Sequence, residues 1–339
     1  MTKWLKMNVG ALALLCVGCS SSSWKTEELP STEQYQYLSM QQEFSILKVA
    51  YEYPSYHPQH KALLEVFCPQ VEKDCANLKV ELYPESSMGT EEEFLSGVEM
   101  GTIEMGIFSR SLTEIVPAYR GFFCPYEFQS EKEIQTFWEN NKQWLSQPLE
   151  ERGLECIGLW VDCWDMIVSN QRATVQLPEN MEVYSIQNAP VNEYWQMQGH
   201  TVREFPYNDL WNVSIDPKEK IFHVSLFDAY YGGIAGKESN LYMTWDTPEM
   251  KMGVVNYGFL YSLPEEQQEC IRQALQQTAQ ISVQWMKEEE ETILKNLTQA
   301  HARVFETPVN EKEKERIRLA ARQWGMEQQW GEEFFGNNA

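Results

Sequence analysis

From Ser45 onward, short apolar runs alternate with stretches in which apolar residues recur every three or four positions. Ile46 to Tyr51 predicts a strand, His57 to Lys73 a helix whose Leu63, Leu64, Phe67 and Val71 share a face, and Leu78 to Tyr83 a second strand. Glu91 to Gly101 follows as a helix with Phe94, Leu95 and Val98 inward, and Met105 to Phe108 as a strand. Beyond these, Lys132 to Arg152 predicts a helix, Glu155 to Val161 a strand, and Met166 to Ser169 a further extended piece. Strands that alternate with helices imply an α/β fold built on parallel pairs, with the sheet continuing across the middle of the chain.

The longest periodic stretch runs from Leu263 to about Phe305. Leu263-Pro264-Glu265-Glu266 opens it, with proline where a missing N–H costs nothing and two carboxylates at the positive end of the helix dipole. Ile271, Leu275, Thr278, Ser282, Trp285, Met286, Ile293 and Leu297 then form one stripe, and Pro308 forbids continuation. At 1.5 Å per residue such a helix would be roughly 60 Å long, enough to cross more than one domain. The stripe mixes in small polar residues and keeps no strict heptad, which argues against a coiled-coil arm. Glu288 to Glu291 points in four directions around the helix, so it predicts a solvated turn rather than a metal site.

The chain has 339 residues, of which 43% are hydrophobic, enough for a full core and two domains of ordinary size. A formal net charge of −23 opposes nucleic acid and anionic lipid surfaces as partners. The first residues predict a targeting segment: Lys3 and Lys6 form a basic start, Val9 to Val17 is a short apolar run, and Cys16-Val17-Gly18-Cys19 closes it. This resembles a bacterial lipobox, with 1–18 as signal peptide and Cys19 as the lipidated residue, although Cys16 stands where leucine is usual. Simple secretion, or an uncleaved anchor, are the other readings; all place the folded part outside the cytoplasm. Residues 19–43 are polar and aperiodic, a flexible tether. Ser20 is not the aspartate associated with inner-membrane retention, which leans toward the outer membrane. Cys68, Cys75, Cys124, Cys156, Cys163 and Cys270 would be free to form disulfides there, but their spacing fixes no connectivity and matches no zinc site.

Enzymatic signatures are missing. The sequence has no Gly-x-Ser-x-Gly elbow, no Walker loop and no His-Glu-x-x-His, and its histidines are scattered at 57, 60, 200, 223 and 301. His57 and His60 read as a loop and helix start. Neither a catalytic function nor a cofactor or metal is expected.

Several short motifs occur in a shared order: Ile46-Leu47-Lys48-Val49, His57-Pro58-Gln59-His60, Leu82-Tyr83-Pro84 with Met88-Gly89, Gly101-Thr102-Ile103-Glu104-Met105, Pro117 before Phe122-Phe123-Cys124-Pro125-Tyr126, and Val255-Asn256 leading into Leu263-Pro264. Together they resemble the substrate-binding proteins of tripartite ATP-independent periplasmic (TRAP) transporters, over nearly all of the chain after Phe44. The resemblance implies a two-lobed periplasmic-binding-protein-like fold, with lobes joined by crossing strands and braced by the long helix. Lobe I would comprise residues 44–162 and 247–282, lobe II residues 163–246 and 283–339. It implies a monomer that closes on a small-molecule ligand by hinge motion and presents it to the TRAP membrane permease subunits, its own membrane contact being only the lipid anchor. The alternative is a degenerate binder acting as a sensor or protein-interaction lipoprotein.

By position in the resemblance, the ligand-binding candidates are Glu52 and Tyr53 after the first strand, Glu91 at a helix start, Ser109 after a strand, Trp164 and Asp165, Tyr184, Ser185, Asn188, and Tyr230 with Tyr231. The family's arginine before Ser169-Asn170 is replaced in Cys163-Trp164-Asp165, and its more characteristic arginine aligns with Ser185, or with Tyr184 after a one-residue slip. The expected ligand is therefore neutral or cationic, held by acidic groups and aromatic faces. Lys48, Arg110 and Arg203 are the cations that could restore anion binding by entering the cleft from another direction.

Overall fold

Among the described residues, ten strands pair into one mixed sheet. They are β1 (Ser45–Ala50), β2 (Leu78–Tyr83), β3 (Met105–Phe108), β4 (Leu154–Ser169), β5 (Glu182–Ile186), β6 (Thr201–Phe205), β7 (Ile221–Ser225), β8 (Asn240–Tyr242), β9 (Pro248–Asn256) and β10 (Arg303–Phe305). This computed structural model describes residues 45–170, 182–187, 190–212 and 220–336; the expected signal segment, the tether, Cys19 and Asn188 lie outside the described residues.

The sheet order is β2-β1-β3-β9-β4-β7-β5-β6, with β8 also on β4 and β10 beside β8. At one end β1 pairs in parallel with β2 and β3; at the other β5 pairs in parallel with β6 and β7. The expected parallel units are thus present at both ends. Antiparallel pairs join them, β9 lying between β3 and β4, and β4 continuing onto β7. The two extended pieces expected at 155–161 and 166–169 are one strand of 16 residues, β4, whose first part pairs with β9 and whose end pairs with β7 and β8. A strand shared in this way belongs to both halves, and register shifts at Cys156/Gly158 and Val161/Cys163 mark where it turns between them.

The helices that matter here are α1 (the run Pro58–Ala62, Leu63–Phe67, Cys68–Asp74), α2 (Glu91–Glu99), α3 (Glu131–Glu150), α4 (Val191–Met197), α5 (Leu226–Tyr231), α6 (Glu265–Gln299), α7 (Glu311–Met326) and α8 (Gln329–Gly336). The long helix is α6, at 35 residues. Its predicted stripe is buried, except that Trp285 is half-buried with the Lys61 ammonium 4.5 Å above its ring. It stops at Gln299, short of Phe305, because Arg303–Phe305 pairs with β8 as a strand. Two glycines in the crossing strands set how closely α6 lies on the sheet: a Cβ on Gly253 would meet Leu275 at 2.3 Å, and one on Gly158 would meet it at 3.0 Å. Ser282, one of the small polar residues in the stripe, donates toward Gln59 Oε1 at 3.2 Å and Asp162 Oδ1 at 3.3 Å, so the stripe is part of a buried polar network.

One expectation is corrected. Glu288 to Glu291 is not wholly solvated: Glu289 receives the Tyr231 hydroxyl, and Glu290 turns inward, where burial and then Asp162 lift its carboxyl to about 8. The tail meets residues of both expected lobes. Phe334 of α8 stacks on Phe137 at 4.7 Å and meets Phe122 edge-on at 5.1 Å, so α7 and α8 complete a core whose aromatics come mostly from residues 94–138 and which Val191 and Tyr194 also join. Hydrophobic burial of these phenylalanines decides the placement, and no periodic pattern within α8 could show which surface it covers.

Candidate functional site

In a parallel sheet, ligands sit beyond the carboxyl ends of the strands, where loops splay and backbone groups are free. The chain leaves β1 through Tyr51, Glu52 and Tyr53, and leaves β3 through Ser109, Arg110 and Ser111. From the other half, β6 leads to Tyr207, and β7 ends at Ser225, whose side chain caps α5 and places Asp228 one turn in. These ends meet. The Tyr53 ring lies edge-on to Tyr207 at 6.2 Å, the Arg110 guanidinium is 5.7 Å from the Tyr207 ring centre, and the Tyr207 hydroxyl donates to Asp228 at 3.2 Å.

The centre of the site is a buried ion pair that sequence reasoning did not assign. Glu249 and Lys251 are neighbours on one face of β9, a strand buried over almost its whole length. Arg110 Nη1 lies 3.1 and 3.3 Å from the two Glu249 oxygens, and Lys251 Nζ lies 3.0 Å from Glu249 and 4.4 Å from the Tyr53 ring centre. Burial would raise the Glu249 carboxyl, but Lys251 and Arg110 hold it below its ordinary value. Burial would likewise lower Lys251, yet Tyr53 and Glu249 keep it well above normal. All three groups are therefore charged, and Glu249 offsets one of the two positive charges. Of the three cations that could restore anion binding, Arg110 alone enters. Lys48 donates to the Thr102 carbonyl at 2.7 Å, and Arg203 is exposed and paired with Glu182 at 2.6 Å.

Around this pair stands a surplus of acid. Burial, then Glu91, lifts Glu52 to about 7; burial, then Glu249, lifts Asp228 to about 6; burial lifts Asp162 to about 6. Asp165 is raised well above its ordinary value by burial and by Glu249, and its Oδ1 has no partner. Its neighbour His223 lies 3.9 Å from Asp165 Oδ2 and 2.7 Å from Asp246; burial would lower the imidazole, but Asp246, Asp165 and Glu249 together lift it to about 9. His57 is driven the other way by burial and by Lys251, so it is a neutral ring stacked on Tyr53 at 4.6 Å. Backbone strain helps frame Asp165. Trp245 and Tyr126 hold φ of 47° and 59°, and between them Asp246 accepts the Tyr126 N–H at 2.8 Å while Thr247 accepts that of Asp165 at 2.8 Å.

The expected site residues divide accordingly. Glu52, Tyr53, Ser109 and Asp165 lie in or beside the cluster, and the buried Ser109 Oγ has no partner. Glu91 is buried there too, but its carboxylate accepts the backbone N–H groups of Ser109 and, at 2.9 Å, Ser111, so it shapes the loop after β3. Ser185 pairs in register with His223, and Asp165 with Ser225, which puts Ser185 on the face that carries Asp165, with an unpartnered Oγ. Tyr184 stands on the opposite face, 5.3 Å from Phe222 and with Lys220 4.8 Å above it. Trp164 is half-buried against the core that receives α8. Tyr230 accepts from Asn296 at 3.4 Å, and Tyr231 packs 5.2 Å from Tyr56 and 4.6 Å from Phe227, so both tie α5 to α6 and to the loop after β1.

Comparison with known proteins gives the following. A model of the bacterial extracellular solute-binding protein family 7 matches residues 49–324. The 2,3-diketo-L-gulonate-binding periplasmic protein YiaO of Escherichia coli is 27% identical over 150 residues, 43% of this chain and 45% of its own. Each alignment spans less than half the length of the curated relative it matches. Among solved structures, a TRAP periplasmic solute binding protein of Haemophilus influenzae with bound L-gulonate superposes with a TM-score of 0.71 at 16% identity, covering 86% of this chain and 98% of that one. A Bordetella pertussis extracytoplasmic solute receptor binding pyroglutamic acid gives a TM-score of 0.74 at 13% identity, covering 86% and 95%. At these identities the two structures speak for the fold.

Proposed function

The chain belongs to the bacterial extracellular solute-binding proteins of family 7, and on that premise we propose that it captures a small organic ligand between two lobes and delivers it to the membrane permease of a TRAP transporter. The observation that carries this reading is the meeting of strand ends from both halves of the sheet, with Tyr53 and Arg110 from one and Tyr207 and Asp228 from the other around buried, partly unpartnered polar groups. The family is one of substrate-binding proteins. The lobes would exchange at β4 and β9, near residues 162–163 and 246–247.

The similar proteins named above carry acids as ligands, but this site is built differently. Its two buried cations are both engaged by Glu249, and the surrounding Glu52, Asp162, Asp165 and Asp228 carry more acid than the one remaining positive charge needs. A buried carboxylate ligand would need a free cationic fork, and its absence costs about 2 to 5 kcal/mol. The ligand proposed is therefore neutral or cationic, an amine being the simplest form. Isothermal calorimetry on the purified protein checks this. A neutral or cationic compound is expected to bind, with affinity reduced about tenfold or more in Asp165→Asn by loss of a charge-assisted contact. Submicromolar binding of a dicarboxylate or sugar acid, undiminished in Asp165→Asn, would overturn it. Internal pairing at the centre also favours a second reading, a sensor or interaction lipoprotein that binds no small molecule. A protein that takes up no compound from a broad metabolite screen would support that one.

The proposed location is the periplasmic side of a bacterial membrane, held by lipid on Cys19. Among the described residues no helix is long and apolar enough to cross a membrane. Cys19→Ser is expected to move the protein from the membrane fraction to the soluble periplasmic fraction, because acyl chains supply the burial that the polar tether lacks. A wild-type protein already soluble would refute the anchor.

A further inference from the structure

We propose that Cys75 and Cys270 form a disulfide that fastens the end of α1 to the second turn of α6. Cys75 is buried at the C-terminus of α1, and its thiol points at α6, where it approaches the Gln267 carbonyl at 3.8 Å. Gln267 answers by donating its side-chain amide to the Ala76 carbonyl at 3.0 Å, so the two segments are held in a fixed juxtaposition. Cys270 stands three residues further along, close to one helical turn, and is therefore on the same face as Gln267. It packs, half-buried, against the core that contains Cys75, near enough to push the Cys75 thiol up. Cys68, on α1 about two turns earlier, has no such neighbour among the described residues, and Cys124, Cys156 and Cys163 lie elsewhere in the fold.

The pair is asymmetric in the way that stepwise oxidation requires. Cys270 is accessible enough to meet an oxidant, whereas burial and the adjacent Cys270 push the Cys75 thiol up. Cys270 thiolate attacks a disulfide of the oxidant, forming a mixed disulfide and expelling one thiolate. Cys75 then gives up its proton and attacks the Cys270 sulfur, expelling the second. Two protein thiols become one disulfide, and the oxidant, a protein or glutathione disulfide, leaves as two thiols that carry the two protons. The link closes a long loop and so restricts the unfolded chain, while the joined segments already sit together in the fold. Its occurrence in the cell rests on the extracytoplasmic location proposed above.

The test uses the full purified chain, reduced, then incubated with oxidised glutathione, alkylated and mapped by peptide mass spectrometry without reduction. The expected product joins the peptides containing Cys75 and Cys270, is absent in Cys270→Ser and is unchanged in Cys68→Ser. Its thermal midpoint should exceed that of the reduced protein by several degrees, a gain that Cys270→Ser abolishes. Recovery of both thiols alkylated from folded, glutathione-treated protein would overturn the pair, as would joining of either cysteine to a different partner, and neither result bears on ligand binding. A link formed in buffer but missing from protein alkylated in the producing cells would overturn its occurrence there.

Discussion

Replacing Glu249 by Gln is expected to lower the unfolding free energy by about 3 to 5 kcal/mol, because it strands two cations away from water. Arg110 and Lys251 are both buried, and Glu249 is the carboxylate that touches both. The loss is not that of two hydrogen bonds in water, which would be smaller; it is the desolvation of charges left without a counter-charge. Denaturant melts of wild type, Glu249→Gln, Arg110→Gln and the double variant form a cycle. The double variant is expected to lose less than the two single losses combined, since Lys251 is then the one cation left unmatched. A single-variant loss below about 1 kcal/mol would mean the pair is hydrated and does not organise the site. The same substitution reports on specificity. In Glu249→Gln the freed fork should admit a small carboxylate such as pyroglutamate about tenfold or more tightly than wild type does. No gain in carboxylate binding by a folded variant would show that Glu249 is not what turns acids away.

Much of the architecture could be read from spacing alone, because burial on one face leaves a period. The stripe of α6 from Ile271 to Leu297, the helix face with Phe94, Leu95 and Val98, and the runs that became β1, β2 and β3 are all of this kind. The end of α6 was not legible: Arg303–Phe305 continues a helical pattern and becomes a strand because β8 offers it an edge. Tertiary pairing overrides local preference there. Candidates that follow strand ends, Glu52, Tyr53 and Ser109, and Asp165 inside β4 were reached through their place in the resemblance. The site was not legible at Glu249 and Lys251, although a signal existed. Pro248 to Asn256 is an apolar run interrupted by two opposite charges two residues apart, and on a strand such residues share a face. Two charges in an otherwise central strand must be paired, which makes them candidates for a buried ion pair. His223 gave no comparable signal, since its partners Asp246 and Asp165 come from a different strand and a loop.

The unliganded protein is expected to become less stable as pH rises from about 5 to about 7, with a further loss toward 9, where a surface-charged protein would be nearly flat. The sign follows from the direction of each shift. Glu52 is raised to about 7 and Asp162 and Asp228 to about 6, so the folded state holds protons that the unfolded state releases near the ordinary carboxylate values. Their contribution is complete below those ordinary values and disappears as pH climbs through 6 and 7. Each is worth up to about 3 kcal/mol. His223, raised to about 9, adds stability that is complete below its ordinary value and lost as pH rises through 9. His57 acts oppositely, since its depressed value makes its contribution fade as pH falls below the ordinary imidazole range, and it offsets part of the gain near pH 6. Glu249, held low, would weaken the fold only at more acid pH, as pH falls through its folded value. Denaturant melts at pH 5, 6, 7 and 8 measure the slope, and Asp228→Asn should flatten it. If the ligand is a cation, its affinity should change in the opposite direction over the same interval, because ionised Glu52, Asp162 and Asp228 are what it would meet. Stability that increases between pH 5 and 7 would show that these carboxylates are already ionised in the folded protein, and that water reaches the cluster.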